Sequence, residues 1–244
     1  MNTSFSDKDS YTSLCEEAAT SDTTFEVFKS IPNYREILEH VTYEEGLEYA
    51  DLALANPLIA ANIDKFQCND TLGKPQQYTY NFGRFSPTTL RYVKTLSDLS
   101  QLKLEGSTIV EIGCGYGGQY TVIRQLFKPK KYIFVDLLST LKLIKKYIGK
   151  QGLLSDIELQ FMDPSQIIPV GADLCISNYA FSECTHSLQD EYIEKILNNC
   201  VHGYMVYNDV MGYTHQEFLN KFQKKAKQFP ERPQTHPKNV LITW

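Results

Sequence analysis

The residues best spaced for chemistry lie in "STIVEIGCGYGGQYTVIRQL", positions 107–126: an apolar run, Glu111, the glycines 113, 115, 117 and 118, then a helical pattern. A turn with so little side-chain bulk lets a ligand approach the backbone and the free amides at the start of the following helix. Gly113-x-Gly115-x-x-Gly118 by itself satisfies a dinucleotide fingerprint, and it would equally serve as a tight strand-to-helix turn that holds nothing. Two acids sharpen the choice. Glu111 puts a carboxylate at the strand's end, where a cationic group is welcome and a pyrophosphate is repelled. Asp136 ends the next apolar run, 25 residues later, where an acid can accept hydrogen bonds from a ribose diol.

A ligand with a ribose at one end and a cationic amino acid at the other is S-adenosylmethionine, and E-x-G-x-G-x-G from Glu111 through Gly113, Gly115 and Gly117 is the spacing expected for it. The expected cofactor set is therefore Glu111, the turn Gly113, Gly115, Tyr116 and Gly117, and Asp136 for the ribose. Leu137 is expected to wall the adenine, Met162 to pack on it, and Asp163 to accept its exocyclic amine. Each of these three has an ordinary alternative as a core or turn residue. Arg91, on the helix before the glycine turn, could reach the methionine end or pack on the helix surface. Asn178, at the end of the fourth apolar run, faces the space between cofactor and acceptor.

Methyl transfer from a sulfonium is an in-line displacement, so the acceptor atom must be held about 3 Å from the methyl and water excluded. A hydroxyl acceptor needs a base to withdraw its proton. The candidates at the expected site edge are Glu183, His186 and Asp209; each could instead cap a helix or face solvent. Tyr80, Phe82 and Arg84 in "YTYNFGRF", together with Tyr179 and Glu183, are the expected acceptor contacts. The aromatics suit a sugar face, although a loop docking against a helix would use the same residues. No metal is expected, because Asp163, Asp173 and Asp209 lie on separate segments.

These residues need a scaffold. From position 108 onward short apolar runs at 108–112, 131–136, 157–162, 172–177, 203–208 and 239–244 alternate with helical patterns, which predicts an α/β domain: a doubly wound, mostly parallel Rossmann-like sheet over 101–244. Leu188, Tyr192, Ile193, Ile196, Leu197 and Cys200 follow a helical period, as do Phe218, Leu219, Phe222 and Ala226. Residues 25–100 read as a helical cap that binds the acceptor, broken at Pro32 and near Pro57. Within it "CNDTLGKPQQYTYNFGRF" reads as loop, and Ser86-Pro87 opens a helix as N-cap and first-turn proline. Residues 1–24 read as a polar lead-in that frays.

The chain resembles the sugar O-methyltransferases of bacterial surface-polysaccharide clusters. The resemblance is carried by "NFGRFSPTTLRYVKTLSDL" (81–99), "VEIGCGYGGQ" (110–119), "DLCISNYAFSE" (173–183) with "LQDEYIEKIL" after it, and "PKNVLITW" near the end. It implies S-adenosylmethionine as cofactor, a sugar or sugar-nucleotide acceptor, and Glu183 in the stretch "SNYAFSE" as a site residue. The competing expectations are an enzyme of the same fold acting on another small-molecule hydroxyl or amine, a non-catalytic cofactor-binding module, and a dinucleotide-dependent oxidoreductase.

Composition limits the partners. In 244 residues, 42% of them hydrophobic, there is material for one substantial core, and a net charge of -5 without a basic block argues against nucleic acid or an anionic membrane as partner. Six cysteines without zinc-like spacing, no signal-peptide core and no long apolar run lead to the expectation of a cytoplasmic protein with reduced thiols, with a homodimer admitted as an assembly state.

Overall fold

The computed structural model describes residues 9–244. The first third is helical: α1 (Asp9–Thr20), α2 (Asp22–Phe25), α3 (Pro32–Arg35), α4 (Tyr43–Leu54) and α5 (Pro57–Ala60) precede a small hairpin of β1 (Tyr78–Tyr80) and β2 (Gly83–Phe85) and the helix α6 (Pro87–Leu99). Then follow β3 (Thr108–Ile112), α7 (Gly118–Ile123), β4 (Lys131–Val135), α8 (Leu138–Lys150), β5 (Glu158–Met162), β6 (Ala172–Asn178), α9 (His186–Lys195), β7 (Cys200–Tyr207), α10 (His215–Lys221), β8 (Lys227–Pro230) and β9 (Val240–Thr243).

The main sheet has seven strands in the order β5-β4-β3-β6-β7-β9-β8. The five strands from β5 to β7 are parallel, while β9 runs antiparallel to both β7 and β8. Both faces of β3 are buried, as a parallel strand covered by helices requires. Ile109 belongs to the apolar cluster on one face, and Val110 and Ile112 to the cluster on the other. The chain runs outward from β3 through β4 to β5, then crosses back to β6 and continues to β7. The direction reverses between β3 and β6, and in open α/β sheets ligands bind outside the carboxyl ends of the strands at that point.

Three sequence expectations change. Residues 1–8 of the lead-in lie outside the described residues, and from Asp9 it is helical: α1 lies on α8 with Tyr11, Leu14, Cys15 and Ala18 buried, and Glu16 pairs with Lys142 at 2.7 Å. The surface pair contributes little; a large buried apolar side chain such as Leu14 contributes about 1.5–3 kcal/mol. The stretch read as loop contains the β1–β2 hairpin, whose register sets Thr79 opposite Arg84. The last helix ends at Lys221, so Ala226 falls outside it, and β8, a strand whose residues are all exposed, was not visible as alternation.

Helix α6 joins cap to sheet. Ser86 caps it through its hydroxyl, which accepts from Thr89 N at 3.2 Å, and Pro87 occupies the first turn as expected. All its residues except Asp98 are buried, because the cap covers one side and the sheet the other. The polar groups of its first turn are paired internally. Asp70, also buried, accepts from Ser86 N at 2.6 Å and from the Ser86 and Thr89 hydroxyls at 2.7 Å each. All six cysteines are free thiols. No described helix is long and apolar enough to cross a membrane.

Candidate active site

The turn after β3 is left-handed at Gly113 (φ 76°), Gly115 (φ 54°) and Gly117 (φ 88°), so side chains would be strained at all three. Space is as restrictive as φ: a Cβ on Gly113 would stand 1.9 Å from the Ala180 Cβ, and one on Gly115 would meet Leu38 of the cap at 2.9 Å. Asp136, just beyond β4, folds back onto this turn. Its Oδ2 accepts from Cys114 N at 2.6 Å and Gly115 N at 3.1 Å, and its Oδ1 from Leu137 N at 2.8 Å. A carboxylate offers about four acceptor positions, so lone-pair capacity remains toward the cavity that Asp136 lines. Burial raises its pKa to about 6 against the pull of those backbone donors.

That cavity, about 330 Å³, lies at the switch point. Its size is in the range of small-molecule sites, roughly 300–1,000 Å³. The sheet contributes Gly113, Gly115, Asp136, Asn178, Glu183 and Asn208 to the wall. The cap contributes Tyr11, Leu38, His40, Glu45, Tyr49 and Arg91, and the loop before β9 adds Thr235 and Asn239. Two buried polar atoms on this wall, Arg91 Nε and Asn178 Oδ1, have no hydrogen-bond partner. Unpaired buried polar groups are costly and rare, so these two mark where a polar ligand would be received. A smaller hollow of about 40 Å³ shares Gly113, Asp136 and Ala180 with the first and is lined beyond them by Leu137, Pro164, Cys184 and Leu188.

Glu183 stands in the 3-10 turn after β6 and accepts from Asn208 Nδ2 at 2.9 Å. Burial raises its pKa, opposed by the Asn208 hydrogen bond and the Arg91 charge. Tyr179, at the end of β6, has φ 69° and donates its hydroxyl to Glu231.

Of the expected residues, Gly113, Gly115, Asp136, Asn178, Arg91, Tyr179 and Glu183 meet in the main cavity and Leu137 in the smaller one. The others are placed elsewhere, each for a physical reason. Glu111 lies behind the turn, 3% exposed, and accepts from Tyr132 OH at 2.7 Å; it faces the α7 side of the sheet and lines neither hollow. Tyr116 is fully buried against Tyr147 and Tyr92, with the Lys29 ammonium 4.0 Å from its ring centre. Gly117 turns toward Ile144 and Ile148 of α8. Met162 sits in the apolar cluster on the opposite face, and Asp163 caps the turn after β5 by accepting from Ser165 N at 2.8 Å.

The other two base candidates also leave the site. His186 opens α9, exposed, its ring 4.2 Å from that of Tyr213. Asp209 turns to the start of α10, accepting from His215 N at 2.8 Å and lying 3.0 Å from its Nδ1. Nor do the hairpin residues reach the cavity: Tyr80 and Phe82 stack on each other at 5.2 Å, and Arg84 is exposed. Sequence reasoning missed Tyr11, His40, Tyr49, Asn208, Thr235 and Asn239. Only Asn208 carried a signal, as the neighbour of Asp209 at the same strand end. Among the described residues no group of three or more His, Cys, Asp or Glu could hold a metal ion.

No protein-family model matches the chain, and no curated protein matches it in sequence. Among solved structures it is similar to the pyocyanin biosynthetic protein PhzM, with 12% identity over 86% of this chain and 70% of that one and a TM-score of 0.49. It is also similar to an rRNA methylase from Streptococcus thermophilus, with 17% identity over 63% of this chain and 95% of that one and a TM-score of 0.48. A SAM-dependent methyltransferase from Aquifex aeolicus is a third, with 15% identity over 61% of this chain and 87% of that one and a TM-score of 0.48. At such scores the fold is defined by the strand order and registers above, and the site by its side chains.

Proposed function

We propose that the protein is an S-adenosylmethionine-dependent methyltransferase that transfers the methyl to a hydroxyl of a small sugar or sugar-like acceptor. The observation that carries this reading is the single cavity shared by Asp136 on the glycine turn, the unpartnered Arg91 Nε and Asn178 Oδ1, and the Glu183 carboxylate. The residues fit the cofactor. Asp136 retains acceptor capacity for a ribose, Arg91 offers a cation to an α-carboxylate, and Leu137 and Leu188 give an apolar wall on the far side of Gly113 for a purine.

When bound, S-adenosylmethionine supplies an electrophilic methyl on a sulfonium. The chain's own residues supply the rest. Glu183, its pKa raised by burial, is matched to take the proton of an acceptor hydroxyl as the oxygen attacks. Asn208 holds that carboxylate by donating to one of its oxygens, and Glu183 lines the cavity. The opposite wall of His40, Glu45, Thr235 and Asn239 presents donors and acceptors suited to a polyhydroxyl compound. Tyr49 and Leu38 add apolar surface to the lining.

Calorimetry with S-adenosylhomocysteine and with NADH tests the cofactor: binding of the first alone is expected, and binding of NADH alone would overturn the reading. Methyl uptake is then measured across free sugars, sugar nucleotides and small amines. Uptake by sugars is expected; uptake by amines only would reject O-methylation, and binding without any turnover would favour a non-catalytic module.

A further inference from the structure

A second hollow of about 750 Å³ lies beside α6, against β7 and the β9–β8 pair. Its floor is apolar, built from Leu99, Leu102, Leu241 and Trp244, with Phe229 (45% exposed) and Leu52 (37% exposed) at the rim. Lys225, Lys227 and Arg232, all exposed, stand around it, and none of them forms an ion pair among the described residues. In a chain with a net charge of -5, three unpaired cations over an apolar floor select for an anion joined to an apolar body.

A narrow space of about 20 Å³ lies between this hollow and the candidate active site. It shares Lys94, Tyr204, Arg232 and Leu241 with the hollow and Tyr49, Arg91, Asn178 and Tyr179 with the cavity. Arg91, 9% exposed with its Nε unpartnered, and Asn178, with its Oδ1 unpartnered, thus face the junction as well as the cavity. The wall between the two is Tyr179. A positive φ at a bulky residue is strained, and such strain is retained where the surroundings hold it in place. Here the holding group is Glu231, 4% exposed, which takes the Tyr179 hydroxyl and also accepts from Thr235 N at 3.0 Å, the Thr235 hydroxyl at 2.7 Å and Asn239 Nδ2 at 3.1 Å. At this size the throat passes little more than a water, so passage of anything larger requires Tyr179 to leave Glu231.

We propose that the acceptor is an anionic amphiphile whose apolar, charged portion is held in the hollow beside α6 while its hydroxyl-bearing end reaches Glu183 past Tyr179. The proposal rests on the methyltransferase reading and narrows its substrate class.

Fluorescence titration of the full chain with 8-anilinonaphthalene-1-sulfonate, an apolar aromatic anion, tests the hollow. One saturable site is expected, weakened about tenfold in the Lys227→Glu/Arg232→Glu variant, whose affinity for S-adenosylhomocysteine stays unchanged because both side chains are exposed and lie outside the candidate cofactor wall. With an acceptor that is turned over, inhibition by the same probe is expected to be competitive with that acceptor. Equal probe affinity in the variant, or inhibition indifferent to acceptor concentration, would overturn the proposal. Failure of S-adenosylhomocysteine to bind would overturn the methyltransferase reading and with it the acceptor's route, while the titration still decides whether the hollow takes an apolar anion.

Discussion

The Glu183 carboxylate and the Asn208 amide meet at 2.9 Å across the carboxyl ends of β6 and β7, two adjacent parallel strands. Asn208 is itself fixed: its backbone N donates to the Ser182 hydroxyl at 3.1 Å, and its Oδ1 accepts from that hydroxyl at 2.7 Å. The Glu183 carboxylate is therefore held from the neighbouring strand as well as from its own turn.

Replacing Glu183 with Gln keeps the shape and removes the proton acceptor. Turnover is expected to fall about 10²–10⁴-fold, with S-adenosylhomocysteine affinity retained in calorimetry. In the wild type, kcat/KM is expected to rise with pH through a carboxyl pKa above the ordinary value, because the raised pKa keeps Glu183 protonated at lower pH. Full activity in the Gln variant would remove Glu183 from the chemistry.

Asp136 braces the turn and, in the proposed function, also receives the ligand. Asp136→Ala deletes acceptors for Cys114 N and Gly115 N, and charge-assisted hydrogen bonds contribute roughly 1.5–3 kcal/mol. Affinity for S-adenosylhomocysteine is expected to fall at least about tenfold by calorimetry. His186→Ala, exposed and outside the cavity, is expected to leave the affinity unchanged.

Gly113 and Gly152 share a positive φ, 76° and 73°, but only Gly113 has a neighbour, Ala180, in the way of a Cβ. Gly152→Ala should cost about 1–2 kcal/mol from backbone strain alone. Gly113→Ala adds overpacking of about 1–3 kcal/mol, so its midpoint in thermal unfolding should lie several degrees below that of the Gly152 variant. Equal midpoints would show that Ala180 yields freely.

Glu111 gives a pH dependence of stability. Burial raises its pKa from 4.5 to about 8, partly offset by the Tyr132 hydrogen bond. Between those values the folded chain holds a proton that the unfolded chain has released, so this group's contribution falls as pH rises across the window, by at most about 1.4 kcal/mol per unit. Denaturant unfolding of Glu111→Gln and wild type at several pH values should show a gap in favour of the variant that widens from pH 5 to 8. Parallel curves would mean that Glu111 ionises as freely as in the unfolded chain.

The alternation of apolar runs and helical periods was legible from residue 108 onward because parallel strands buried on both faces must be apolar throughout. β8 escaped because all four of its residues are exposed, and an edge strand of that kind has no pattern to read. Gly113, Gly115 and Asp136 were legible for a similar reason: backbone conformation and turn bracing restrict residue type there. Glu111 misled because its position at the strand's end is visible in sequence while the face of the sheet it occupies is set by pairing. His186 and Asp209 misled because a polar residue near a strand end can as readily face solvent or bond the start of the next helix as line a cavity. The cap's share of the cavity, from Tyr11 to Tyr49, depends on how helices dock, which no local spacing records.

Tyr11 and Asp136 line the same cavity although 125 positions separate them in the chain. The lead helix is thus one wall of the pocket, seated on α8 by a modest set of side chains. A ligand that rests against both walls and the docking of this helix favour each other by equal amounts of free energy. Trimming the first twenty residues, a routine step in preparing a protein with a polar start, would lower ligand affinity without touching the glycine turn, and a saturating ligand would protect that helix from proteases in return.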